Sequence, residues 1–592
     1  MTEADEATKK KGRRRLAPPP LLATAAVAIA VVALVFAWRR LFLGTDLSDE
    51  GFYVAVPYRF ALGARPFVDE MNLLQMAALF SVPFVKVYLW LAGGSTGIVL
   101  FMRHLYLLWT LVVAGTVWMG FRRLLRWELA LLAGLVCSTL VIATISNLSY
   151  NTLGAGLLVI GMSLGARALV GGGRNRYLAA AGAAQALAAL AYPTLIVVLP
   201  VTAVCLALVT SGWRRRALSA WAAGALAILV AEALLLASFG VGNVLRCLRY
   251  QRADWSRLNA GGGTPKLWGV FHGVIAHFTL FPLILVCALV VLLAYRRWPW
   301  ARLALVLAPL ALLPFGEQLV SGGDGFAVIY GLVAPFFFLF VAAEHREQAT
   351  RLLVWGYLPS LAAALVTGYS SASGWLQMDV GLLPAVVISG VMLALALTPR
   401  RGERAVLRRA LPIGALLALA GILAVTIVYE YQFLPRAVPL AKLTVTMHGG
   451  PYAGIHTTPS RAAYLTQLRA DLPRVATPSD RLLIFYQVPA FYLFWPYRLA
   501  TNSVWISSPK GLEFMDDPGP LPPATLAYYH RERLLPDVVV RIIATAGLSD
   551  RQLRQSYCGG LDYDVALVRP FYVVFRRPPG GVTPVVVSQA GH

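Results

Sequence analysis

The sequence predicts a polytopic α-helical membrane protein of about thirteen transmembrane helices with a small C-terminal α/β domain outside the membrane. Three observations predict it. Of the 592 residues, 58% are hydrophobic and only 14% charged, against roughly 25% charged in soluble domains. Apolar runs of spanning length recur, and every second connection between them is basic. Beyond Glu430 the apolar runs shorten to strand length.

Residues 1–19 form a basic tail in which "KKKGRRR" leads through a proline run into "LLATAAVAIAVVALVFAW". No convincing cleavage site precedes Arg39-Arg40, so this segment reads as a signal anchor with a cytoplasmic N-terminus. Spans are expected near 20–38, 99–121, 128–145, 152–170, 177–192, 193–211, 217–238, 278–295, 301–319, 326–343, 351–368, 378–398 and 410–429. With the N-terminus inside, the cytoplasmic connections read "FRRLLRW", "GGGRNR", "GWRRRA", "YRRWPWAR", "EHREQATR" and "TPRRGERAVLRR". All are basic, as the positive-inside rule asks. At Tyr192-Pro193 a proline breaks the apolar run into two short helices.

Within the membrane region, 20–429, the same count places two long connections outside: an opening loop, 44–95, and a second loop, 239–277. In the first, "EGFYVAVPYRFALG" and "LLQMAALFSVPFVKVYLWLAGG" read as interfacial helices, the rival for the second being a further span. In 430–592, strand-length runs such as "RLLIFY", "DVVVRII" and "FYVVF" alternate with helical or turn-rich segments, which gives the extracytoplasmic α/β domain. "HGGPYAGIHTTP" at its neck has the composition of a linker.

The net charge is +24, from 52 Lys+Arg against 28 Asp+Glu. In a membrane protein such an excess belongs to cytoplasmic loops, and no basic stretch interleaved with aromatics points to nucleic acid. Cys137, Cys205 and Cys287 fall in apolar runs and read as core residues. Cys247 and Cys558 lie outside the spans, where a pairing is conceivable but no spacing supports it. No Cys/His cluster of metal-site spacing occurs, and no Gly-rich strand-to-helix motif for a nucleotide-sugar is present.

The acids are concentrated in one place. "LGTDLSDEGFYVAVPYRFALGARPFVDEMNLLQ", from Leu43 to Gln75, holds Asp46, the pair Asp49-Glu50 and the pair Asp69-Glu70. An Asp-Glu pair after the first span is followed by Tyr53, Gly63, Pro66 with Asp69, Gly93-Gly94 and Arg103 entering the next span. That ordered set resembles the opening loop of GT-C-fold glycosyltransferases, among them protein O-mannosyltransferases, the lipid A aminoarabinose transferase and bacterial family 39-like members. "VPAFYLFWPYRLATNSVW" in the outer domain is similar to the tail of that bacterial group. One departure is "EMNLLQMAAL", where many relatives carry a proline-rich segment.

The resemblance implies a GT-C fold and inverting transfer of a sugar from a polyprenyl-phosphate donor to a hydroxyl of a glycan, lipid or protein at the outer face of the bilayer. A divalent metal is left open. Such chemistry needs a general base for the acceptor hydroxyl and groups that stabilise the departing phosphate. Asp49 matches the base of the family motif. Glu50 and Asp69 are expected to hold Asp49 or orient the acceptor, and Tyr53 and Arg103 to contact substrate. The bland alternative is that Asp49 or Glu50 merely caps the helix beginning near Gly51; Asp46 reads as a turn residue.

Phosphate binding is expected from the second loop, "RCLRYQRADWSRLNAGGGTPK", through Arg246, Arg249, Arg252, Arg257 and Lys266, with Tyr250 on the same helical face as Arg246 and Arg249. Attraction to anionic lipid headgroups is the competing explanation. His272 is a further substrate candidate, and His277 and Asp324 weaker ones. Glu232 and Glu317 are acids within or near spans, a rarity that points to function. Asn147 and Asn151 in "SNLSYNTLG" either bind sugar or cap the next helix. A transporter or lipid-linked sugar flippase is the alternative from another class; it would set acids deep in the spans and show paired broken segments.

Overall fold

The computed structural model describes residues 20–170, 175–210, 212–258, 264–277, 347–371, 373–399, 404–432, 438–485, 488–496, 498–501, 503–505, 535–542 and 563–578, with five isolated positions between 303 and 332. Apart from those five positions, the expected spans at 278–295, 301–319 and 326–343, with Cys287, Glu317 and Asp324, lie outside these residues, as does Cys558.

Helices follow the apolar runs. They are α1 (Pro20–Arg40), α2 (Asp49–Ala61), α3 (Gln75–Ala92), α4 (Ile98–Phe121), α5 (Trp127–Thr139), α6 (Tyr150–Val170), α7 (Asn175–Ala191), α8 (Val198–Val209), α9 (Arg214–Ser238), α10 (Val241–Leu258), α11 (Thr264–His277), α12 (Leu358–Ser370), α13 (Met378–Ala396) and α14 (Ala405–Gln432). Among the described residues, eight helices are long and apolar enough to cross a membrane, and Trp127–Thr139 and Pro193–Val209 are shorter apolar helices. The break at Tyr192-Pro193 is present: α7 stops at Ala191 and a 3-10 turn, Pro193–Val197, leads into α8.

The structure departs from three expectations of the sequence. The span expected over 128–145 stops at Thr139, and Ala143 and Thr144 adopt φ of 53° and 54°. Carboxylates from later helices take the amides the helix would have used: Glu430 Oε1 accepts from Val141 N at 2.8 Å and Asp379 Oδ2 from Ala143 N at 2.9 Å. The helix α2 is not laid along a surface, because every residue from Glu50 to Phe60 is buried. It is apolar nearly all round, and Gly51 lets the backbone at Ala490 approach so closely that a Cβ would lie 2.7 Å from Ala490 N. The neck "HGGPYAGIHTTP" is a docking strap rather than a linker. His456 N donates to Phe42 O at 2.7 Å, Gly97 N to Gly450 O at 2.9 Å, and the buried Tyr452 hydroxyl to Asp46 O at 2.6 Å. By contrast α3 exposes Phe84, Val87, Trp90 and Leu91 along one stripe and is long and apolar enough to span.

The C-terminal region contains a short antiparallel ribbon of β1 (Val445–Thr446) and β2 (His456–Thr457), helix α15 (Pro459–Val475) and a mixed sheet. The sheet comprises β3 (Arg481–Phe485), β4 (Arg498–Leu499), β5 (Val538–Ile542), β6 (Asp564–Val568) and β7 (Tyr572–Arg576), in the order β4-β3-β5-β7-β6. Strand β3 runs parallel to β4 and β5, and β7 antiparallel to β5 and β6. Leu465, Leu468 and Leu472 of α15 share one core with Leu482 and Ile484 of β3, Val538 and Val540 of β5, and Phe52 and Val56 of α2. Burial of such side chains contributes roughly 1.5–3 kcal/mol each. The sheet region and the opening loop are therefore packed together at one rim of the helix bundle.

Candidate active site

The opening loop is built around carboxylates with different duties. Asp46 caps α2: its carboxylate accepts from Ser48 N at 3.0 Å, Ser48 Oγ at 2.7 Å and Glu50 N at 3.1 Å. The cap comes from neither Asp49 nor Glu50, so the turn residue of the sequence reading is the helix stop. Glu50 is buried and meets Arg103 in a two-pronged contact, 2.6 Å from both Nε and Nη2, and also accepts from Asn147 Nδ2 at 2.9 Å. The remaining Arg103 donors go to the carbonyls of Leu41, Leu43 and Gly44. With all five N–H groups engaged and its side chain buried, Arg103 has no donor to offer a phosphate. It is a clamp that shapes the turn before α2.

The second pair behaves likewise. Glu70 is fully buried; Arg59 approaches it at 3.3 Å, and Asn72 N and Val504 N donate at 3.2 and 3.1 Å. Burial pushes its carboxyl above the usual glutamate range, opposed by Arg59 and these amides. Asp69, at the loop surface, accepts from Arg65 N at 2.7 Å and Arg65 Nε at 3.3 Å.

Asp49 is the exposed acid of the first pair. It stands in the first turn of α2, one turn before Tyr53, whose ring lies 5.6 Å from that of Tyr150; Tyr150 in turn lies 4.8 Å from Tyr192. Burial first, then Tyr150 and Asp49, hold the Tyr53 phenol well above its ordinary pKa, so it stays a protonated donor. Beyond Tyr192, its hydroxyl and Thr194 Oγ1 approach Ser370 Oγ at 3.5 and 3.3 Å. Lys266 Nζ, on α11, sits 5.7 Å from the ring of Tyr369, the residue before Ser370. Partial burial lowers the Lys266 pKa. The rings of Tyr53, Tyr150 and Tyr192 thus form a file that reaches Ser370 on α12, next in the chain to the Tyr369 that Lys266 meets. Below it, Gln377 Nε2 donates to Asn151 Oδ1 at 2.6 Å. Neither Asn147 nor Asn151 caps α6; Ser149 and Thr152 do so reciprocally.

Tyr250 packs with Cys247 and Val244 of α10 against Phe67, Met71 and Met76 of the opening loop. Cys247 is a free, buried thiol that donates to Met71 O at 3.1 Å. Arg246, Arg249, Arg252 and His272 are exposed on α10 and α11, away from this seam. Side chains of Arg257 and His277 lie outside the described residues, and Glu232 is half-buried on α9. Among the described residues, no three of His, Cys, Asp and Glu gather as a metal cluster would.

Sequence reasoning missed Tyr150, Tyr192 and Asp379. The rule that singled out Glu232 and Glu317, acids at spans, applies equally to Asp379 in "QMDVG". The tyrosines carried no such signal, since their contact joins segments 97 and 139 residues from Tyr53 in the chain only after folding.

No protein-family model and no curated protein matches the sequence. Among solved structures, ArnT from Cupriavidus metallidurans bound to undecaprenyl phosphate is similar over 93% of this chain and 97% of its own, at 15% identity and TM-score 0.51. AglB, the archaeal oligosaccharyltransferase from Archaeoglobus fulgidus in complex with an inhibitory peptide and a dolichol-phosphate, aligns over 88% of this chain and 69% of its own, at 14% identity and TM-score 0.46. The likeness to ArnT shows that the chain has the GT-C fold of a multi-pass membrane protein.

Proposed function

We propose that the protein is an inverting glycosyltransferase that takes a sugar from a polyprenyl-phosphate donor and passes it to a hydroxyl of a cell-envelope glycan, lipid or protein at the outer face of the membrane. The observation that carries this reading is the division of labour in the opening loop. Asp46, Glu50 and Glu70 are committed to the fold, whereas Asp49 is exposed one helical turn before Tyr53, the first of a file of tyrosines. The motif resemblance and the GT-C fold, seen in ArnT with undecaprenyl phosphate bound, support it. On this reading the N-terminus is cytoplasmic and the sheet region stands outside.

The Asp49 carboxylate would take the proton of the acceptor hydroxyl as its oxygen attacks the anomeric carbon. The bond from that carbon to the phosphate oxygen breaks with inversion, and polyprenyl phosphate leaves with the electron pair. Positioned acid–base catalysis is worth on the order of 10²–10⁴ in rate. The Lys266 ammonium, beside the Tyr369 ring, would meet the charge that develops on the leaving phosphate. The Tyr53 hydroxyl, held protonated, is suited to hydrogen-bond the sugar or the acceptor.

The test uses the full chain in proteoliposomes supplied in turn with polyprenyl-phosphate mannose and polyprenyl-phosphate arabinose, reading release of free polyprenyl phosphate and sugar transfer to cell-envelope extract. The parent should transfer one of them, and Asp49→Asn should lose on the order of 10²–10⁴ of the rate while remaining folded. Asp49→Asn activity within twofold of the parent would overturn the assignment. Donor movement across the vesicle with no transfer by the parent would replace it with the transporter.

A further inference from the structure

Helices α10 and α11 leave a surface that the transfer chemistry does not use. α10 begins immediately after the apolar helix α9, which exposes Leu226, Val230 and Leu234 as a lipid-facing helix does; Phe239 and Gly240 alone separate the two, and Gly240 turns the chain with φ of 89°. One side of α10 is sealed to the protein: Val244, Cys247 and Tyr250 pack on the opening loop and Gln251 Nε2 donates to Met71 O at 3.0 Å. Beside that seam, Val241, Leu245 and Leu248 are exposed at helical spacing. Arg252 is exposed on the same face, Arg249 and Arg246 follow it round the side turned away from the seam, and none of the three has a carboxylate partner among the described residues. The neighbouring α11 is anchored by Gly273, which lies against Trp375, while Trp268 and Ile275 are 66% and 67% exposed and Phe271 accompanies them.

An apolar stripe bordered by arginines, continuous with the lipid-facing side of a spanning helix, is the pattern of a helix lying in the headgroup layer. An aqueous neighbour would leave the leucines and Trp268 unburied, and a purely apolar one would strand the arginines. We propose that α10 and α11 form an interfacial paddle that docks on anionic phospholipid headgroups of the adjoining leaflet, with Leu245, Leu248, Trp268, Phe271 and Ile275 at the acyl boundary and Arg246, Arg249 and Arg252 on the phosphates. Because α10 is sealed to the opening loop through Cys247 and Tyr250, the paddle fixes the height of that loop relative to the bilayer. This surface is independent of whether the protein transfers a sugar.

Hydrogen exchange tests it without reference to activity. The full chain is placed in nanodiscs of phosphatidylcholine or of an equal mixture of phosphatidylcholine and phosphatidylglycerol, and exchange is followed over 241–252. The mixture should slow exchange by roughly fivefold for each arginine engaged. Arg246→Gln, Arg249→Gln and Arg252→Gln together should erase the difference while leaving exchange in phosphatidylcholine as in the parent. Should that variant fail to fold, raising salt on the parent should shrink the difference, as screening of headgroup charge requires. Equal exchange of the parent in the two lipids overturns the proposal. So does slowing that appears only when polyprenyl phosphate is added to phosphatidylcholine, which would assign these arginines to the donor instead.

Discussion

The two Asp-Glu pairs of the opening loop share a sequence and a plan, yet they differ in strength. In both, the glutamate turns inward to an arginine and the aspartate stays at the surface. Glu50 meets Arg103 at 2.6 Å through two parallel contacts, and that arginine also holds the carbonyls of Leu41, Leu43 and Gly44. Glu70 meets Arg59 through one contact at 3.3 Å and relies on the amides of Asn72 and Val504. A bidentate pair fixes orientation as well as distance. Asp49 is therefore carried on a rigid turn beside Tyr53 and Tyr150, whereas Asp69 is bonded to the backbone and side chain of its own neighbour Arg65. The lesson is that an acidic pair in a membrane-rim loop is two residues with two tasks, an anchor and a presented carboxylate.

That comparison predicts a large structural effect at Glu50. Glu50→Gln would leave the buried Arg103 guanidinium without its counter-charge, and removing one partner of a buried pair costs about 3–5 kcal/mol. Detergent-solubilised protein should show the largest fall in melting temperature of the loop variants, and Asp49→Asn almost none. Equal stability of Glu50→Gln and Asp49→Asn would break the distinction between anchor and presented acid.

Glu70→Gln should be milder, about 1–3 kcal/mol at neutral pH, because its single amide oxygen still accepts one of the two backbone amides and Arg59 keeps its bond to the carbonyl of Asp69. Its pH signature sharpens the contrast. The Glu70 carboxyl is raised above its unfolded value of about 4.3 by burial. Its proton-linked contribution to stability is thus fully present below the unfolded pKa and is lost as pH rises through the folded one. The parent should gain stability relative to Glu70→Gln as pH falls from neutral toward 4, read as a difference in melting temperature. A difference that stays flat over that window would mean the carboxyl is not raised.

How much of this was legible in the sequence follows from the range of each interaction. The apolar runs, the break at Tyr192-Pro193 and the acidic loop are local patterns, and the helices follow them. The early end of α5 is not local: Val141 and Ala143 are held by carboxylates 289 and 236 residues further along. The same reason hid the strap at 448–459, whose glycines look like a linker until His456 and Tyr452 bond to Phe42 and Asp46. Asp46 is the turn residue the sequence suggests, holding Ser48 N, and its second oxygen also caps α2 at Glu50 N, which was hidden for the opposite cause. Several acids near one helix start compete for its amides, and composition alone does not say which one wins. For the candidate site, Asp49 and Tyr53 stood in the motif, while Tyr150 and Tyr192 entered only when α2, α6 and the end of α7 converged.

The smallest effect is expected at Asp69. Its carboxylate is about a third exposed and Arg65 about two thirds, so the ion pair between them is worth under about 1 kcal/mol. Asparagine in its place keeps an acceptor for Arg65 N, and the melting temperature of Asp69→Asn should stay close to that of the parent. For transfer, a residue that orients the acceptor without taking its proton changes KM more than kcat. Asp69→Asn should therefore raise the acceptor KM by up to about tenfold and leave kcat within about threefold of the parent. Steady-state kinetics on both variants decides it. If Asp69→Asn loses kcat as deeply as Asp49→Asn, the two surface aspartates act on the same proton. The opening loop would then hold a carboxylate pair rather than a base on a rigid turn and a bystander at its edge.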